Sequence, residues 1–103
     1  NLPLVLYWQA TPPVMQSYTV FTQLFDGTGT LVAQQDNLPV TGLAPTDTWE
    51  PEAIIRDPYS LQLPTDAAGP WRLLVGMYDA QGVRVPLLLP DGTNADALTF
   101  DLP

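Results

Sequence analysis

Trp49 sits in the loop Thr46-Asp-Thr-Trp-Glu-Pro-Glu52, flanked by Asp47, Glu50 and Glu52. An indole ring beside carboxylates is how β-sandwich modules hold sugars. The ring stacks on the C–H face of a pyranose while the acids accept hydroxyl hydrogen bonds. Trp49, Asp47, Glu50 and Glu52 are therefore the candidate carbohydrate-binding residues. The competing reading is that Trp49 packs down as a plug at the open end of a sandwich, since large aromatics are mostly buried. Glu50 and Glu52 are also the nearest thing to a pair for glycoside hydrolysis. That chemistry needs one carboxyl held protonated and a cleft between the two. A chain of 103 residues leaves little room for such a cleft. No catalytic residue is assigned, and a noncatalytic chain is expected.

Oxygen-rich loops can also hold Ca²⁺, which takes about 6–8 oxygen ligands. Asp47, Glu50, Glu52 and Asp57 form one acidic run, and Asp91, Asn94 and Asp96 form a second. The second is the candidate metal site, although its spacing departs from the Asp-x-Asp-x-Asp calcium loop. Solvated acidic loops account for both runs equally well. Of the three arginines, Arg56 adjoins Asp57 and Arg84 follows Asp79, so salt bridges are the expected role of both.

Much chemistry is excluded by what is missing. The chain has no His, Cys or Lys. It therefore has no thiolate, disulfide, Schiff-base amine or imidazole base. No cofactor is implied. Eleven acids against three arginines give a net charge of −8, which repels a phosphate backbone, so nucleic acid is not a partner. A membrane span needs about 20 mostly apolar residues. The longest proline-free stretch, Val14 to Leu38, is interrupted by Gln16, Gln23, Asp26, Gln34, Gln35 and Asp36. The chain opens Asn-Leu-Pro, and we expect a domain excised from a longer protein, or a processed chain.

The elements that would position these loops are short strands. Twelve prolines leave few windows for a helix. Leu2 to Gln9 alternates, with Leu2, Leu4, Leu6 and Trp8 on one face. Tyr18 to Phe25 is rich in β-branched and aromatic residues. Asp26-Gly-Thr-Gly29 signals a hairpin into Thr30 to Gln35. Asn37 to Thr48 reads as an irregular connection. Ala53 to Leu63 reads as two short strands around Pro58, and Pro64 to Pro70 as a loop. Trp71 to Tyr78 places Trp71, Leu73, Val75 and Met77 on one face. Asp79-Ala-Gln-Gly82 turns into Val83 to Leu89, Pro90 to Asn94 turns again, and Leu98, Phe100 and Leu102 alternate in a last strand. Residues 1–103 thus form a single all-β domain, an immunoglobulin-like antiparallel β-sandwich of seven to eight short strands. Pro3, Pro58 and Pro86 should lie on edges or at bulges.

Several residue strings together resemble a known domain. They are Leu6-Tyr7-Trp8-Gln9-Ala10, Tyr18-Thr19-Val20-Phe21, Trp49-x-Pro51, Ile55-x-Asp57-x-Tyr59, Gly69-Pro70-Trp71-x-Leu73, Val75-Gly76-Met77-Tyr78-Asp79 and Gly82-x-Arg84-x-Pro86. The chain resembles the small β-sandwich domain at the extracytoplasmic end of bacterial multi-spanning membrane proteins similar to lipid-phosphate-sugar-dependent glycosyltransferases, the protein mannosyltransferase-like group. The resemblance implies a cell-envelope location, the rest of a parent membrane protein as partner, and a glycan as a possible ligand. It departs at two points: Ala53 follows Pro51-Glu52 where the pattern has Pro-Gly-Glu, and Gln23 stands where His is frequent.

Overall fold

A computed structural model describes residues 1–10 and 12–103. Its strands are β1 (Leu2–Trp8), β2 (Thr19–Phe25), β3 (Leu31–Asn37), β4 (Ile55–Leu61), β5 (Trp71–Tyr78), β6 (Leu87–Leu88), β7 (Asn94–Ala95) and β8 (Leu98–Leu102). Single 3-10 turns occupy Pro39–Gly42 and Thr46–Thr48. β1 and β4 pair antiparallel as a two-stranded sheet. It packs on a four-stranded antiparallel sheet of order β3-β2-β5-β8. β6 and β7 form a separate two-residue hairpin. The molecule is an all-β sandwich. Among the described residues no helix is long and apolar enough to cross a membrane.

The period-two patterns set the inner faces. Leu2, Leu4, Leu6 and Trp8 face inward from β1 and meet Leu24, Leu61, Leu73 and Val75, with Val20, Tyr59 and Met77 extending the core toward Trp8. Pro3 and Pro58 both lie in the two-stranded sheet, where every strand is an edge, so neither deprives a central ladder of a donor. Pro86 lies just before β6, outside any strand. The Asp26-to-Gly29 turn forms as expected. Asp26 N–H donates to the Thr30 carbonyl, and Gly29 takes the left-handed φ of 83° that a side chain would resist.

Two segments differ from the reading of the sequence. β4 is one strand through Pro58, because Pro58 opposes Val5 on an edge and breaks no ladder bond there. Val83 to Leu89 yields only β6 and an isolated bridge between Arg84 and Tyr78. The remainder folds over the outer face of β2 and β5. There Phe21 is covered by the Arg84 guanidinium, 4.8 Å from the ring centroid, and stacks on Tyr78 at 6.3 Å. Gly76 makes this closure possible. A Cβ at Gly76 would lie 2.5 Å from the Phe21 ring and 3.1 Å from the Asp96 carbonyl oxygen.

Candidate functional site

The loop that carries Trp49 is built from its ends. Thr46 is buried, and its Oγ1 accepts from the Tyr18 N–H at 2.9 Å, pinning the first 3-10 residue to the start of β2. Trp49 follows in extended conformation, and its N–H closes the turn on the Thr46 carbonyl. The indole is half-buried against the core of Val20, Tyr59 and Met77, and its Nε1–H donates to the Ala44 carbonyl at 2.8 Å. Glu52 holds a left-handed φ of 65°; its N–H donates to the Ala10 carbonyl and its own carbonyl accepts from Gln9 Nε2 at 2.7 Å. Asp47, Glu50 and Glu52 are exposed on the same loop. The structure therefore places the three acids and the Trp49 ring on one loop. It spends the indole N–H internally and leaves part of the ring at the surface.

The second acidic run is distributed over three functions. Asp91 Oδ1 accepts from Thr93 N–H at 2.9 Å and from Thr93 Oγ1 at 2.6 Å, so it ties its own turn. These bonds hold its carboxyl below the usual carboxylate range, the Thr93 hydroxyl contributing most. Asn94 opens β7, and Asp96 Oδ2 lies 4.0 Å from Arg84 Nη1. Asp26 is used as Asp91 is: its Oδ1 accepts from the Thr28 hydroxyl at 2.6 Å and from two backbone N–H groups, and its carboxyl is likewise lowered, chiefly by Thr28. Among the described residues no three His, Cys, Asp or Glu side chains gather as a metal cluster would. The acid beside Arg84 is thus Asp96, where the sequence suggested Asp79. Asp79 instead receives the N–H groups of Gln81 and Val83.

Asp57 is the residue that sequence reasoning misplaced. It is neither part of an exposed acidic loop nor the partner of Arg56. It is 1% exposed, inside the sandwich. Its Oδ2 accepts from Trp8 Nε1 at 3.1 Å and from the Tyr59 hydroxyl at 2.7 Å, and its Oδ1 accepts from Val40 N–H at 2.7 Å. One carboxylate thereby joins β1, β4 and the Pro39–Gly42 turn. The turn holds Val40 and Thr41 at φ of 55° and 54°, costly values for β-branched residues, and the charge-assisted bond to Val40 helps to fix them. Burial, followed by the bond to Asp57, pushes the Tyr59 phenol well above the ordinary tyrosine range. The signal was in the sequence: Ile55, Asp57, Tyr59 and Leu61 share one parity.

Two depressions mark the surface. The larger, about 760 Å³, is open and lies on the outer face of the four-stranded sheet among Phe25, Asp26, Trp71, Arg72 and Asp101. Its floor carries the exposed Arg72–Asp101 ion pair at 3.0 Å. The smaller, about 310 Å³, is apolar and opens between β1 and β8. Comparison with protein-family models, curated proteins and solved structures finds no match to this chain.

Proposed function

We propose that this chain is a noncatalytic structural and interaction domain of a bacterial envelope membrane protein, related to lipid-phosphate-sugar-dependent glycosyltransferases and lying outside the cytoplasm. The observation that supports a structural role is how its polar side chains are employed. Asp26, Asp79 and Asp91 each tie their own turn, Asp57 braces the interior, and the Trp49 indole N–H anchors its loop. The immunoglobulin-like part of the reading draws on strand order, with β1–β4 facing β3-β2-β5-β8. The location and the parent protein rest on the sequence resemblance alone. Protease added to spheroplasts of cells making the tagged parent protein should cleave this segment. Protection by an intact membrane overturns the location.

One observation favours a second reading, a carbohydrate-binding module. Asp47, Glu50 and Glu52 are exposed on the loop that presents the Trp49 ring. In that case a glycan array gives hits that the Trp49→Phe variant loses while its melting temperature stays within a few degrees. An array with no hits removes this reading and leaves the first intact.

A further inference from the structure

The two sheets are unequal, and the mismatch falls on one flank. On the β4 side the sandwich is closed: Ser60 N–H donates to Gln35 Oε1 on β3 at 3.3 Å, and the Pro39–Gly42 turn is bonded to Asp57. On the other side β8 has no strand over it. Phe100 pairs with Leu73, so both side chains point between the sheets, yet Leu73 is 3% exposed and Phe100 is 44% exposed. The space beside Phe100 is the 310 Å³ trough lined by Leu2, Leu4, Leu6, Leu73 and Leu102.

The edge of β1 that borders this trough carries unpaired backbone groups. Ser60 opposes Pro3, and its N–H is turned away from β1 toward Gln35. That pair is therefore a non-hydrogen-bonded one, and alternate pairs share its character. Val5–Pro58 and Tyr7–Arg56 are the next two. Pro58, which has no N–H to give, fits this parity. The N–H groups of Val5 and Tyr7 and the carbonyls of Pro3, Val5 and Tyr7 consequently face the open flank, where no strand among the described residues pairs with them.

We propose that this flank binds one extended segment of a partner protein, which adds to β1 as a third strand lying over β8. Its backbone bonds to Val5 and Tyr7, and alternate aliphatic side chains fill the trough and cover Phe100. Its remaining side chains are basic. The chain they approach carries a net charge of −8, while its first 25 residues, β1 among them, hold no charged side chain that would have to be desolvated. A second copy does not fit. It would bring its own β8, overhanging its β1 in the same way, into the space already taken by the first. The inference rests on the interaction half of the proposed function and not on location; a titration of the purified domain leaves the spheroplast result untouched.

The test uses the isotope-labelled chain and a synthetic peptide as long as β1, with valine at alternate positions and arginine between them. The expected result is a saturable set of amide shifts confined to β1 and β8, with hydrogen exchange slowed at Val5 and Tyr7. Val5→Pro removes the central outward donor without breaking a β1–β4 bond, and weakens binding by about tenfold, the loss expected for one hydrogen bond in an apolar site. If that variant does not fold, the same peptide N-methylated at alternate amides gives the same loss on the unaltered chain. Equal binding of a peptide with its valines and arginines in separate blocks reduces the effect to bulk charge and overturns the proposal. So does an absence of shifts at millimolar peptide, a set of shifts elsewhere, or a peptide-free dimer that already protects Val5 and Tyr7.

Discussion

Asp57 governs more of this molecule than any residue of the Trp49 loop. Its three donors come from separate parts of the chain, and each loses its partner if the carboxylate goes. A buried donor left unsatisfied costs about 1–3 kcal/mol. Asp57→Ala should therefore cost roughly 3 kcal/mol or more by urea denaturation, and its amide exchange should quicken around Val40. A loss under 1 kcal/mol would mean that water replaces the carboxylate freely. Tyr59 gives the complementary test with pH. Its folded-state pKa is raised, so above about pH 10 the unfolded chain releases this proton while the folded chain keeps it. The unfolded state then binds fewer protons, and stability falls as pH rises. The contribution is complete below pH 10 and is lost upward from there. Tyr59→Phe should cost about 1–2 kcal/mol at pH 7 and show a shallower alkaline decline than the parent. Parallel declines would remove Tyr59 as the cause.

The strands depend on one small notch as much as on their apolar faces. Phe21 belongs to the outer face of β2, yet it is 2% exposed because the chain after β5 folds across it. Gly76 is the gap its ring enters. Gly76→Ala should destabilise the fold by about 1–3 kcal/mol through overpacking. The penalty should largely vanish in a Phe21→Ala background, and a double-mutant cycle measures that coupling. Additive losses would show that the Cβ meets something else. Nothing in Val75-Gly76-Met77 announces the notch, because the ring that fills it lies some fifty residues away in sequence. The inner faces of β1 and β5 were readable, since each alternates for its whole length and burial follows period two. β4 was not, because Pro58 looked like a break. A strand with a free edge tolerates proline, and sequence pattern does not say which strands end up at edges. Reading Ile55 to Leu61 as two strands hid the parity that puts Asp57 inside. The Trp49 loop was readable as a loop, but its anchoring on Thr46 and Ala44 depends on contacts no local pattern encodes.

The molecule as a whole carries its acids with little compensation. The two ion pairs among the described residues, Arg72–Asp101 and Arg84–Asp96, are exposed, and exposed pairs contribute only about 0–1 kcal/mol each. Against them stands a net charge of −8 on a body whose longest dimension is 42 Å. At about 10 mM salt the screening length is about 30 Å, so most of these charges repel one another; at physiological ionic strength it falls to about 8 Å and most do not. Folding gathers the charges, so self-repulsion weighs on the folded state more than on the expanded one. Moving from about 10 mM to 150 mM NaCl at pH 7 should accordingly raise the melting temperature. A relief of about 0.5–1 kcal/mol corresponds to roughly 2–8 °C for a domain of this size. The gain should disappear near pH 4.1, where the net charge is zero. This dependence on pH separates screening from a general salting-out effect, which would persist at the isoelectric point. A melting temperature that falls with salt at pH 7 would mean that attractive pairs outweigh the acid excess. The two turn carboxylates supply an opposing acid limb. Asp26 and Asp91 titrate below the ordinary range when folded, so between the folded and unfolded values the unfolded chain binds more protons and stability drops as pH falls. Acidification from pH 7 therefore first relieves repulsion and then, below the ordinary aspartate range, unties the two turns. Asp26→Asn with Asp91→Asn should keep the first effect and flatten the second, which thermal melts at pH 7, 4 and 2.5 will distinguish.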